Sequence, residues 1–380
     1  MRRVVRFLGV LVAASAWTAD WNAAVSLYKK GDYAGALKEF EAVVAENPNY
    51  AGAYYYVGAC QEKLGRRDQA LANYQKANQM EPTNPTFARA LALLLIDSGK
   101  PSDALKVLQL VPVDSVKGEQ KAYLLVPLAR AKLAMGDTNG ADDAARAATQ
   151  AAPQSSEAWA VLGAALSRAG RDADAFAAYR KAFELSGDAS LGKTAATAGL
   201  RAARMLKGQE ANALYNQAAA VASKAYEKKP SSELALLVAE AYLGADRYDE
   251  SLAWLDKAGV DNALTTYYRG QCAQGKGDVT TAEKRFREAL GKSPDPHLRR
   301  LIYSSLGFVL DKQKRYKEAE QAYQEAGNAA KAAEMRDKQA KYEQNLKADE
   351  EARRIEEIRR TQEELRRLRG GAAPTPTPKS

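Results

Sequence analysis

Three residues stand out for the chemistry they could carry: His297, the single histidine, and Cys60 and Cys272, the only cysteines of the 380-residue chain. A histidine-based catalytic triad would have to use His297, which follows Pro294-Asp295-Pro296 at a predicted helix start, where a surface or capping place is expected. One His and two Cys are too few for a zinc site built mainly from those ligands, or for a disulfide framework. The two cysteines fall at matching points of similar segments far apart in the sequence. A bridge needs α-carbons within about 7 Å, so both read as buried free thiols. Gly275-Lys276-Gly277 offers glycine and lysine but follows no strand and lacks the rest of a phosphate loop. Nucleophile-elbow and zinc-protease motifs are missing. No catalytic, cofactor-binding or metal-binding residue is assigned, and the expectation is a non-enzymatic chain without a cofactor.

The elements that could position side chains are helices. At 46% hydrophobic and 27% charged the chain can bury a large apolar surface, while 26 Gly and 13 Pro leave little material for the turns of a many-stranded protein. The net charge of +9 raises the question of nucleic acid, but Arg2, Arg3 and Arg6 carry three of those charges and the rest is interleaved with Asp and Glu. Phosphate binding needs clustered Lys and Arg, so no nucleic-acid partner is expected.

Residues 1–16 read as a secretory signal peptide: basic Met1 to Arg6, apolar Phe7 to Ala13, then Ala14-Ser15-Ala16 with small residues where a signal peptidase reads. The apolar run is well short of the roughly 20 residues that span a bilayer, so stable membrane insertion is not expected. The compartment this implies is the periplasm or the exterior.

From Trp17 onward the chain carries a 34-residue period. Between Ala51 to Asn84 and Ser156 to Ala189, repeat position 4 holds Tyr54 and Trp159, position 8 Gly58 and Gly163, position 15 Gly65 and Gly170, position 20 Ala70 and Ala175, position 24 Tyr74 and Tyr179, and position 27 Ala77 and Ala182. Apolar residues three or four apart in two runs make two helices per period, with Gly at the turn between them and Pro closing the second. This pattern resembles the tetratricopeptide repeat family. The resemblance implies an all-α fold, a right-handed α-solenoid of about nine helix-turn-helix repeats followed by a long charged C-terminal helix, with an inner groove lined by the first helix of each pair. Repeats one to three occupy 17–113, a connecting loop 114–121, repeats four and five 122–189, a degenerate pair with longer helices 190–230, and repeats seven to nine 231–328.

In that family the groove is faced by positions 2, 5, 6, 9, 12 and 13 of the first helix. Carried over, Trp21, Asn22, Tyr28, Tyr55, Tyr56, Arg89 and Leu93 face it near the N-terminus, with Tyr54 as the core member of its triplet, and Tyr267, Tyr268, Gln271 and Phe308 face it near the C-terminus. Aromatic residues at such positions are suited to binding a peptide or protein. The family's Lys/Asn/Arg clamp on a terminal carboxylate is absent, since Trp21, Val25 and Tyr56 stand where it would need basic or amide residues.

Residues 329–369 are charged and lack Pro, predicting a single helix about 60 Å long. Glu356 with Arg360 and Glu363 with Arg367 stand four apart in the stabilising order. Ile355, Ile358, Leu365 and Leu368 make a narrow stripe suited to a short coiled coil, interrupted by Gln362 and Arg369. Residues 370–380 form an extended tail without a fold. The expected function is an envelope interaction scaffold that binds a partner's segment in the groove. Two alternatives remain: a glycan- or peptidoglycan-binding accessory of an envelope enzyme, and a structural protein that self-associates through the C-terminal helix.

Overall fold

The computed structural model describes residues 20–370; the expected leader at 1–16 and the tail beyond 370 lie outside the described residues. The described residues hold nineteen α-helices, a 3₁₀ turn at Val113–Ser115 and no strand, in two compact units divided between Lys229 and Pro230.

The first unit stacks six helix pairs. These are α1 (Trp21–Lys30) with α2 (Tyr33–Glu46), α3 (Ala51–Lys63) with α4 (Arg67–Met80), α5 (Pro85–Asp97) with α6 (Pro101–Gln109), α7 (Glu119–Ala134) with α8 (Thr138–Ala151), α9 (Ser156–Arg168) with α10 (Asp172–Ser186), and α11 (Ala189–Arg204) with α12 (Gly208–Lys228). The second unit holds α13 (Ser232–Gly244) with α14 (Tyr248–Ala258), α15 (Ala263–Gly275) with α16 (Val279–Gly291), α17 (Pro296–Lys312) with α18 (Tyr316–Glu325), and the long α19 (Ala329–Gly370). Helix α7 opens at Glu119, inside the stretch expected to be a connecting loop, after Gly118 turns the chain at φ +57°. The expected degenerate pair is α11 and α12, 16 and 21 residues long.

Several helix starts are fixed by side chains that accept from the free N–H groups of the first turn. Asp20 does this for α1, Asn84 for α5, Ser155 for α9, and Asp295 for α17.

The packing rule inside a pair is a glycine against a ring sixteen residues later. A methyl group on Gly58 would come within 2.8 Å of the Tyr74 ring, on Gly163 within 2.8 Å of Tyr179, on Gly270 within 2.6 Å of Phe286, and on Gly307 within 3.0 Å of Tyr323. In three further pairs the small member is alanine, Ala24 with Phe40, Ala92 with Leu108 and Ala239 with Leu255, and all six residues are buried. The two helices thus approach closely only where one of them has no side chain to speak of.

The turn within every pair except α11–α12 bends through a left-handed residue two places before the second helix. Gly65 and Gly170 take φ +77° and +74° there. In α13–α14 and α17–α18 the same place is taken by Asp246 and Lys314, at φ +59° and +60°. Left-handed backbone is strained for a residue with a β-carbon.

Two opposite stability effects are expected from this geometry. Gly163→Ala pushes a methyl into the Tyr179 ring and lowers unfolding stability by about 1–3 kcal/mol. Lys314→Gly, at an exposed position, relieves the strained turn and raises it by roughly 0.5–1 kcal/mol. Denaturant midpoints of the two variants, moving in opposite directions from the parent, check both.

Candidate partner-binding wall of the first helices

Within the first unit α5 touches α7 and α7 touches α9; within the second α15 touches both α13 and α17. The second helices of successive pairs make no comparable contacts. Elements that converge lie on the inner side of a curved stack, so each unit presents an inner wall built from first helices.

At the N-terminal end of that wall the aromatic side chains form one network. Trp21 meets Phe40, Tyr50 and Tyr56 edge-on, with ring centroids 5.2, 5.1 and 5.3 Å apart. Tyr28 lies 5.3 Å from Tyr33 and 5.7 Å from Tyr56, and Tyr56 stacks on the fully buried Phe40 at 4.8 Å. Tyr55 lies 5.2 Å from Tyr56, 5.3 Å from Phe87 and 5.7 Å from Tyr74. Edge-on and offset geometries are the favourable ones for such rings, each contributing about 0.5–1.5 kcal/mol beyond area burial. Trp21, Tyr28, Tyr55 and Tyr56 are consequently half-buried, and Asn22 alone of the N-terminal set is exposed. Tyr54, expected in the core, is also half-buried, against Ala51, Ala77 and Phe87. The reason is mutual packing: each ring of the triplet rests on a neighbour, so none is wholly inside or wholly outside.

Burial shifts the acidity of this region. It holds the Tyr28 phenol up at about 12 against an ordinary 10.0, and the Cys60 thiol at about 12 against 9.0, with Glu41 adding to the thiol's shift. Desolvation raises Tyr55 and Tyr74 further, and the Tyr74 hydroxyl also donates to Glu62 Oε2 at 2.7 Å.

Further along the wall, Arg89 of α5 joins three repeats. Its guanidinium lies 4.1 Å over the Tyr123 ring of α7, and its Nη2 donates to both carboxylate oxygens of Glu157 on α9, at 2.8 and 3.1 Å. The side chain is only 13% exposed, and Nη1 is buried with no hydrogen-bond partner. Leu93, one turn on, is half-buried. Beside them runs an open trough of about 640 Å³ floored by Ile96, Val126, Ala160 and Val161 and edged by Arg130 and Glu157. Arg89 and Leu93 were assigned to this surface from sequence; Tyr123 and Glu157 were not. The signal existed, since both occupy position 2 of their repeats, one of the family's groove positions.

In the second unit, Gln271 Nε2 donates to Tyr267 Oη at 2.9 Å and to Ser305 Oγ at 2.7 Å. Tyr267 packs 5.8 Å from Phe286 and 6.0 Å from Tyr268. Phe308 is 41% exposed, with Lys312 Nζ 5.4 Å from its ring. The unforeseen member is Ser305, at position 6 of its repeat.

Cys60 and Cys272 are free and buried, and His297 is exposed with its backbone N–H held by Asp295 Oδ1 at 2.9 Å. Among the described residues no group of His, Cys, Asp and Glu is arranged to hold a metal ion, and no helix is long and apolar enough to cross a membrane.

Glu157→Gln leaves the largely covered Arg89 without its counter-charge, and a loss of about 1–3 kcal/mol is expected. Combining it with Arg89→Met is expected to cost less than the two single changes added, as chemical denaturation of the four proteins will reveal. The raised phenols and thiol bind their protons more tightly folded than unfolded. Their stabilisation is therefore complete below about pH 9 and is lost as pH rises towards 12. The melting temperature should stay level to about pH 9 and then fall as pH rises towards 12.

Tetratricopeptide repeat family models match this chain, one over residues 63–125 and another over 22–85, 126–190 and 267–333, the latter alone covering more than half of it. No curated protein sequence matches. Solved structures with a similar course include MamA from Desulfovibrio magneticus RS-1, 19% identical, with a TM-score of 0.38 over 43% of this chain and 91% of that one. A tetratricopeptide repeat protein from Parabacteroides merdae is 16% identical, with a TM-score of 0.32 over 76% of this chain and 96% of the other. A human IFIT1 dimer with PPP-AAAA is 15% identical, with a TM-score of 0.35 over 82% and 69%. With the glycine-to-ring spacing and the paired helices, the family matches establish that the chain belongs to the tetratricopeptide repeat family.

Proposed function

We propose that this protein is a non-enzymatic scaffold that seats a segment of a protein partner along the first-helix wall of its first unit. The observation that carries this reading is the open apolar trough of about 640 Å³ on that wall, floored by Ile96, Val126, Ala160 and Val161 and edged by Glu157, whose carboxylate Arg89 holds in place. A concave, mostly apolar surface edged by a few fixed polar groups is the kind of site that takes a partner's segment, and Arg89 acts on it by fixing the Glu157 edge. The partly covered edges of Trp21, Tyr28, Tyr55 and Tyr56 extend the contact area towards the N-terminus. Tyr267, Tyr268, Gln271 and Phe308 offer a separate wall in the second unit.

The network geometry favours peptide over sugar. Glycan binding uses open ring faces, whereas here Tyr56 has one face stacked on Phe40 and Trp21, Tyr28 and Tyr55 are each packed against neighbouring rings. The basic, apolar and small-residue order of residues 1–16 supports an exported protein, periplasmic or secreted, without stable membrane insertion.

A photo-crosslinking side chain at Ala160, in the trough, should capture a partner in cells. The same group at Lys76, exposed on the second helix of its pair, should not. Arg89→Met, with its helical circular dichroism unchanged, should abolish the Ala160 product. Equal capture from both positions, or capture indifferent to Arg89, refutes the reading. For export, mass spectrometry of protein from the periplasm or medium should find a chain beginning near Trp17; a cytoplasmic chain retaining residues 1–16 argues against it.

A further inference from the structure

Helix α19 is two helices in function joined end to end. Its first part belongs to the second unit: Ala332 and Met335 are buried, Arg336 pairs with Glu320 at 2.6 Å, Lys338 with Asp311 at 2.8 Å, and Lys317 with Glu343 at 3.2 Å. Tyr342 adds a ring contact with Tyr316 at 5.9 Å. From residue 344 to residue 368 every residue except Glu356 is exposed, a length of roughly 37 Å.

The two parts point their apolar residues in different directions. Each helical residue advances about 100°, so Met335 and Tyr342 share a face within about 20°. Ile358, counted the same way, is turned by about 140° from that face. Ile355, Ile358, Leu365 and Leu368 are exposed by 61, 55, 48 and 73%. Their stripe is no continuation of the surface that caps the repeats, and the fold has no use for it.

Charge decides what fits the stripe. With Ile355 and Gln362 at a, and Ile358 and Leu365 at d, the flanking e and g places from 354 to 368 hold Arg354, Arg359, Thr361, Arg366 and Leu368. No carboxylate is among them. The acids sit outside the seam, at Glu356, Glu357, Glu363 and Glu364, where Glu356 binds Arg359 at 3.1 Å and Arg360 at 3.2 Å. A second copy, parallel or antiparallel, would give no flanking pair of opposite charge and would set arginine against arginine in some of them, and e and g charges set partner choice in coiled coils.

We infer that the distal half of α19 is a heterotypic coiled-coil arm, whose occupant is an amphipathic helix of another protein carrying Glu or Asp beside its apolar seam. The site is independent of the first-helix wall.

The test uses the full chain and two dye-labelled four-heptad peptides with Ile at a and Leu at d, one with Glu at every e and g place, the other with Lys. Anisotropy should show saturable binding of the acidic peptide, at least about tenfold tighter than the basic one. Ile358→Gln with Leu365→Gln, which leaves the charge unchanged, should remove it, whereas a loss of general attraction alone would not. Arg359→Glu with Arg366→Glu should reverse the preference towards the Lys peptide. These positions are exposed, so helicity serves as the folding control. The inference falls if both peptides bind alike or neither binds, or if the Gln variant binds as the parent does. It also falls if light scattering shows a dimer that Ile358→Gln dissolves, or if the arm sediments with phosphatidylglycerol vesicles in preference to the acidic peptide.

Discussion

The stack rests on one steric constraint: a first helix must be nearly bare where the following helix sets down its largest side chain. At Gly58, Gly163, Gly270 and Gly307 even a methyl group would overlap the ring of Tyr74, Tyr179, Phe286 or Tyr323. Because the offset recurs in seven of the nine pairs, those pairs share one geometry, and successive pairs can be laid on each other with the same faces in contact. The inner walls, and whatever they bind, follow from that repetition. Where alanine replaces glycine, the large partner changes too, to Phe40, Leu108 or Leu255, all buried.

The aromatic network of the first three repeats elaborates the same constraint. Trp21, Tyr28, Tyr55 and Tyr56 stand where the family faces its groove, yet each is also packed against rings of neighbouring helices. A side chain can serve both purposes when its body is covered and an edge remains open, which is why bulky amphipathic rings suit such a wall. Arg89 is handled in a similar way, with one face on Tyr123, one edge on Glu157 and one nitrogen left over.

Periodicity made the architecture legible from sequence. The glycine, alanine and aromatic positions repeat at fixed spacing, and local helix geometry turns that spacing directly into packing. The all-α paired architecture with its long C-terminal helix follows from that pattern, and the longer α11 and α12 lie where the internal positions fail to align. The details of the wall were less legible because they depend on side chains meeting across repeats. Glu157 and Ser305 stand at groove positions 2 and 6, but position alone does not show that Arg89 and Gln271 reach them across repeats. The start of α7 at Glu119 was hidden by the polar composition of 114–121, which suits an exposed first turn as well as a loop. Likewise, the turn residue Lys314 gives no hint of left-handed backbone, which its side chain does not favour, whereas Asp246 is of a type that tolerates it.

Arrays of this kind grow and shrink by gain or loss of a single repeat, and nearest-neighbour contacts normally tolerate such edits because every junction is equivalent. The link from Arg89 to Glu157 skips a neighbour, joining residues 68 positions apart. Removal or insertion of one 34-residue segment between them would change that distance and strand a covered cation. This stretch of the chain has therefore given up the freedom to vary in length that its architecture otherwise grants, and it should melt as a single block.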